Sequence, residues 1–194
     1  MPVRIRIWNK GWGVLGGIAC LFAGRALAQT EVPVKLKAAI VAKVLEYDRN
    51  VPSRSGPILA VGVITDSNTL GAKQALVEGF ELIRNNPIQG LPIKIVPVHL
   101  PDTGALEQTL EAAGVSVLFA GGRCRDSTMN AVLAFARKKK IPACTDREEW
   151  VAKGFVLGVV EERTRARIVI NLAEMKPQGM DLPTQLLQLA RLLK

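Results

Sequence analysis

The run Ile58-Leu59-Ala60-Val61-Gly62-Val63-Ile64 is apolar at every position and rich in β-branched residues. A strand with one wet face alternates, so a strand without alternation must be covered on both faces. Such strands belong to mainly parallel sheets with helices above and below. Val115 to Ala120 and Ile141 to Thr145 repeat the pattern, and Pro92 to His99 supplies a fourth strand that alternates.

The segments between these runs read as helices. Leu36, Ala39, Ile40, Val44 and Tyr47 recur three or four apart and predict an amphipathic helix over 33–47. Asn50 to Pro57 reads as a turn. Asp66-Ser67-Asn68-Thr69 offers N-caps for a helix over 70–84, which Asn85-Asn86-Pro87 stops. Shorter helices are expected over 105–113, closed by Gly114, and over 127–139. After Asp146 the pattern changes. A helical turn at 147–150 precedes two strand-like stretches, 154–160 and 165–172, joined by the polar turn Glu161-Glu162-Arg163-Thr164. The chain then closes with a helix. Asp181 stands as its N-cap, Pro183 in its first turn, and Leu182, Leu186, Leu189, Ala190 and Leu193 as its apolar stripe. The expected architecture is a single α/β domain. A mixed, mainly parallel β-sheet is flanked by helices and ends in a β-hairpin and a terminal helix.

The first 28 residues read as a signal peptide. Arg4, Arg6 and Lys10 form a basic start, the apolar run from Gly13 to Gly24 is too short to span a bilayer, and Ala26-Leu27-Ala28 fits a cleavage site. A retained anchor, or lipidation at Cys20, fits the pattern less well. Cleavage leaves residues 29–194 as one domain of ordinary size, with no stable membrane span. It removes four of the 26 basic residues and none of the 17 acidic ones, so the formal charge falls from +9 to +5. That balance suits acidic partners or an anionic membrane surface. It is too mild to imply nucleic acid, and export argues against that partner as well.

Cys124 and Cys144 form an even pair in an exported chain, which reads as a disulfide. Both fall near the ends of neighbouring predicted strands, about 5 Å apart. Two buried free thiols are the alternative, since sequence sets neither distance nor angle. Gly121-Gly122-Arg123-Cys124-Arg125 follows a strand and opens a helix. Such a turn either just reverses the chain or binds an anion through Gly121, Gly122 and Arg123. Asp146 lies at a strand end, the ligand side of an α/β sheet, where it acts as a ligand contact or as a cap. Arg137-Lys138-Lys139-Lys140 complements the dipole at a helix end. Glu161 and Glu162 read as wet turn residues. His99, the only histidine, has no second metal ligand near it in sequence. No nucleophile motif, zinc-protease motif or cysteine–histidine pair assembles, so the chain is expected to be non-enzymatic and to need no cofactor or metal.

The C-terminal block carries a family likeness. Ile168-Val169-Ile170-Asn171-Leu172, then Gly179-Met180, then Leu186-Leu187-Gln188-Leu189-Ala190-Arg191 resemble in order and spacing the closing motifs of the YfiR family of bacterial periplasmic proteins. Lys37-Ala38-Ala39, Ile58 to Ile64, Val117-Leu118-Phe119-Ala120 and Ala143-Cys144-Thr145-Asp146 are looser echoes upstream. The chain departs from the family pattern at Glu46-Tyr47-Asp48 and at Lys153-Gly154-Phe155-Val156. The resemblance implies a periplasmic regulator. Its partner would be the periplasmic domain of an inner-membrane signalling protein, a diguanylate cyclase or a sensor kinase. Holding a cyclase would lower cyclic-di-GMP synthesis; the resemblance leaves homodimer formation open. A rival likeness exists. Val61 to Asp66 followed by Ala75 to Phe80 resembles the opening of periplasmic substrate-binding proteins, with a small ligand near Thr65, Gly121 and Asp146.

Overall fold

A computed structural model describes residues 32–66, 70–99, 105–122 and 124–194. The expected signal peptide, the caps Ser67 to Thr69 and Arg123 lie outside the described residues. The chain begins with α1 (Val34–Tyr47), α2 (Val51–Ser55), β1 (Leu59–Thr65), α3 (Leu70–Glu81) and β2 (Ile93–His99). It continues through α4 (Leu106–Ala112), β3 (Val117–Ala120), α5 (Asp126–Lys139), β4 (Ala143–Thr145) and α6 (Glu148–Lys153). It ends with β5 (Leu157–Glu162), β6 (Arg165–Asn171), α7 (Leu172–Met175), α8 (Thr184–Leu189) and β7 (Arg191–Leu193).

The strands form one seven-stranded sheet in the order β2-β1-β3-β4-β5-β6-β7. The first five run parallel, β6 returns antiparallel to β5, and β7 lies parallel to β6. This is the mixed, mainly parallel α/β sheet expected. Every residue of β1 is buried, as its unbroken apolar run requires, while β2 at the edge alternates. Successive strand residues supply two cores. Val61, Val63, Phe119, Cys144 and Leu157 pack with α1 and α3. Ile64, Leu118, Ala120 and Ala143 pack with α4 and α5 on the other face.

Four local expectations change. The helix over 33–47 is present, but it buries Ala38, Val41, Val44 and Leu45, whereas Leu36 and Tyr47 are exposed. So many positions of α1 are apolar that periodicity did not single out one stripe. The segment after Asn50 is not a plain turn but the five-residue α2, whose Pro52 falls in the first turn, where a missing N–H costs nothing. The terminal helix is short. Asp181 does not cap it; Pro183 occupies that place, and the helix stops at Leu189 because Ala190 is extended (φ −98°, ψ 157°). Arg191 to Leu193 then pair with Val169 to Asn171. The outer edge of β6 needed backbone partners, and that demand outweighed the helical spacing of the leucines. Leu189, assigned to the apolar stripe, is 73% exposed.

The amino ends of the strands are closed by a clamp. The fully buried carboxylate of Asp48 accepts the N–H of Asn50 at 3.2 Å and of Asp181 at 2.9 Å, and pairs with Arg54. Arg54 Nη1 also donates to the carbonyl of Gly179 at 2.8 Å. α1 and α2 are thereby tied to the chain leading into α8.

Candidate functional site

β1 leads through α3 to β2 on one side, and the chain returns through α4 to β3 on the other. The carboxyl ends of β1 and β3 therefore flank the switch point of the sheet, where α/β proteins place ligands. Two carboxylates stand there, and each takes bonds from within the chain, although the buried Oδ1 of Asp66 has no hydrogen-bond partner among the described residues.

Asp66 follows β1, and its side chain is wholly buried. Its Oδ2 accepts the backbone N–H of Arg125 at 2.8 Å, Arg125 Nε at 3.2 Å and the hydroxyl of Thr128 at 2.6 Å. Helix α5 has no capping side chain at its own N-cap, so Asp66 caps it from a neighbouring strand. Burial pushes the carboxyl upward, but the bonds from Thr128 and Arg125, with the Arg125 charge, outweigh it. The group is held below the ordinary carboxylate value.

Asp146 follows β4. Its Oδ2 meets Lys37 Nζ of α1 at 2.8 Å, with both side chains buried. Its Oδ1 accepts the N–H of Gly122 at 3.0 Å. A Cβ on Gly121 would sit 2.7 Å from that same oxygen, so only glycine lets the carboxylate approach. Gly121, Gly122 and Asp146 are thus brought together, but as partners of one another. The amide expected to hold an anion holds an internal carboxylate.

The expected disulfide does not form; Cys124 and Cys144 are both free and buried. Cys144 faces the core of α1 and α3, and Cys124 faces the core of α4 and α5. Strand adjacency had suggested proximity, but the sheet lies between the two side chains. The Cys124 thiol donates to the carbonyl of Ile64 at 3.6 Å. Burial and then the Asp66 charge push its pKa up to about 12, and burial pushes Cys144 to about 12 as well. Neither thiol is a nucleophile in this state.

The remaining polar candidates are also engaged. His99 lies 3.0 Å by Nδ1 from the carbonyl of Thr65, which can only accept, so Nδ1 carries the proton and Nε2 accepts from Lys73 at 2.8 Å. Arg137, Lys138 and Lys139 pair with Glu174, Glu107 and Glu111. Glu161 accepts the N–H of Val32 at 3.2 Å. No group of three metal-ligating side chains occurs among the described residues.

Sequence reasoning took Asp66 as one cap among several for α3 and gave Lys37 and Thr128 no role. Lys37 carried one usable signal. It lies four before Val41 and one before Ala38, on the face that proved to be buried.

A family model described as YfiR/HmsC-like matches residues 34–191. The chain belongs to the YfiR/HmsC-like family. A search of curated proteins finds no match. Among solved structures, this YfiR/HmsC-like chain is similar to a conserved domain protein from Vibrio cholerae O1 biovar El Tor. The TM-score is 0.62 at 15% identity, covering 84% of this chain and 60% of the other. A substrate binding protein with adhesive properties from Clostridium difficile, in its ligand-free, open state, gives 0.58 at 17% identity, covering 79% and 59%. An ABC domain in complex with L-Trp from Streptococcus pneumonia gives 0.51 at 14% identity, covering 77% and 60%. The chain spans about three fifths of the length of each. At these identities the likeness concerns the fold.

Proposed function

We propose that this protein is a non-catalytic regulator of the periplasm that acts by binding the periplasmic domain of an inner-membrane signalling protein. Within that class, a diguanylate cyclase is the target that membership of the YfiR/HmsC-like family favours over a sensor kinase. Bound protein would bias a two-state receptor and lower cyclic-di-GMP synthesis across the membrane.

One observation weighs most. Among the described residues, the switch-point donors that a small ligand would use are committed to Asp66 and Asp146, which take bonds from the α5 terminus, from Gly122 and from Lys37. A pocket that binds substrate leaves such donors open. The fold is shared with a substrate binding protein and with an L-Trp complex, yet this chain spans about three fifths of either.

The test is affinity purification from detergent-solubilised envelope. Recovery of a membrane protein with a periplasmic domain, lost on competition with untagged protein, is the expected result. A saturable thermal shift with amino acids or nucleotides, and no membrane partner, would overturn it in favour of ligand binding.

A further inference from the structure

The hairpin of β5 and β6 outruns its neighbours. β4 pairs with β5 only at Leu157 and Gly158, and β7 pairs with β6 only from Val169 to Asn171. Residues 159–162 and 165–168 find their ladder partners in each other. At about 3.3 Å per residue, the four residues of each strand make an arm roughly 13 Å long.

The arm has a packed side and a charged side. Ala166 and Ile168 lean on the core with α1, while Arg165 and Arg167 alternate outward. Residues 162–165 are all exposed. Glu162 is shared at 3.5 Å with Arg167 and at 3.9 Å with Arg191. Arg163 and Arg165 form no ion pair among the described residues. Residues 161–167 hold three arginines against two glutamates, so the tip carries a net positive charge, with Arg163 and Arg165 at its end.

The connection itself is unusual. Glu162 and Arg165 are paired, so Arg163 and Thr164 alone make the turn. Arg163 has φ 61°, the left-handed region that glycine or asparagine enters most easily. An arginine there gives the fold nothing that glycine would not give more cheaply. Its long cation at the apex is the feature that needs explaining. Residues 161–167 include no Trp, Tyr, Phe, Leu or Met, so the arm lacks the apolar anchors of a tight protein interface. Guanidinium groups without an apolar anchor suit a diffuse layer of phosphate oxygens.

We infer that the β5–β6 arm is a membrane-contact element whose arginines, led by Arg163, engage the phosphates of anionic lipid headgroups. The contact does not depend on which receptor the protein holds, and it is testable without one.

The exported form of the protein is sedimented with phosphatidylglycerol vesicles and, in parallel, with phosphatidylcholine vesicles. Binding is expected to the anionic vesicles alone, and to vanish between 50 and 500 mM salt, roughly the range over which screening removes surface attraction. Arg163→Gly and Arg165→Ala should each weaken partition about fivefold, and together about 25-fold, for a contribution of about 1 kcal/mol per charge. Arg163→Lys, which keeps the charge but loses the guanidinium fork, should bind between the wild type and Arg163→Gly. Thermal stability gives the control, since Arg163→Gly removes the left-handed arginine and should leave the melting temperature unchanged or raised. Equal binding to both vesicle types, or full vesicle binding by the Arg163→Gly, Arg165→Ala double variant, would overturn the inference. So would a double variant that keeps its vesicle binding but loses an envelope protein partner, which would assign the arm to an acidic protein surface.

Discussion

Replacing Asp66 by alanine tests the claim that this carboxylate organises the carboxyl edge of the sheet. Three donors lose their acceptor at once: the Arg125 N–H, Arg125 Nε and the Thr128 hydroxyl. Thr128 is fully buried, so its orphaned hydroxyl costs about 1–3 kcal/mol. Loss of the cap on α5 adds about 1 kcal/mol. Arg125 is half-exposed and finds water, so its side chain adds little. The sum is about 3 kcal/mol, which for a domain of this size lowers Tm by roughly 6–12 °C. The sign of the pH dependence follows from the lowered pKa. Because the folded carboxyl is the stronger acid, protons favour the unfolded chain. The stabilisation is complete above the unfolded value of about 3.9 and fades as pH falls through the lower folded value. Urea unfolding followed by circular dichroism at pH 7 and at pH 3 should show the gap between wild type and Asp66→Ala narrowing in acid. A gap under about 0.5 kcal/mol at pH 7, or one that does not change with pH, would refute the assignment.

Three further outcomes are expected. Asp48→Ala strands the guanidinium of Arg54, which is 9% exposed, and should cost about 3–5 kcal/mol by equilibrium unfolding, while Asp48→Asn, which keeps an acceptor for Asn50 and Asp181, should cost less. Cys124 and Cys144 should resist a thiol reagent at pH 8 in the native protein and both react after denaturation without reductant; a need for reductant would mean that they are bonded. Gly179→Ala should destabilise by more than about 1 kcal/mol, since Gly179 has φ 64° and an added Cβ would lie 2.5 Å from the carbonyl oxygen of Lys140; a neutral result in thermal melts would contradict that packing.

Local composition carried the sheet. Ile58 to Ile64 announced a doubly covered strand, and β1 is buried along its whole length. Gly114 marked the end of α4, and the polar stretch Glu161-Glu162-Arg163-Thr164 marked the top of the β5–β6 hairpin, although Glu161 and Glu162 belong to β5 and only Arg163 and Thr164 make the turn. What composition could not carry was anything set by the third dimension. Cys124 and Cys144 sat on neighbouring strand ends in the sequence reading, yet the sheet separates them. The leucines after Pro183 had helical spacing, but the open edge of β6 drew Arg191 to Leu193 into a strand. Gly121, Gly122 and Asp146 lie together, but the charged donor that meets Asp146 comes from Lys37, 109 residues earlier. Pairings over that separation leave no local trace.

That separation has a kinetic side. Lys37 reaches its partner only once β4 is in place, and the apolar face of α1 rests on strands from both halves of the sheet. Closing so long a loop precedes any reward from the contact, and folds built this way assemble slowly. A nascent or partly threaded chain that stops short of Asp146 lacks β5 and its Leu157, which complete the floor under α1, so part of that helix's apolar face stays in water. During that interval the first helix is bait for chaperones and proteases, and the rate of its docking sets how long the bait is on offer.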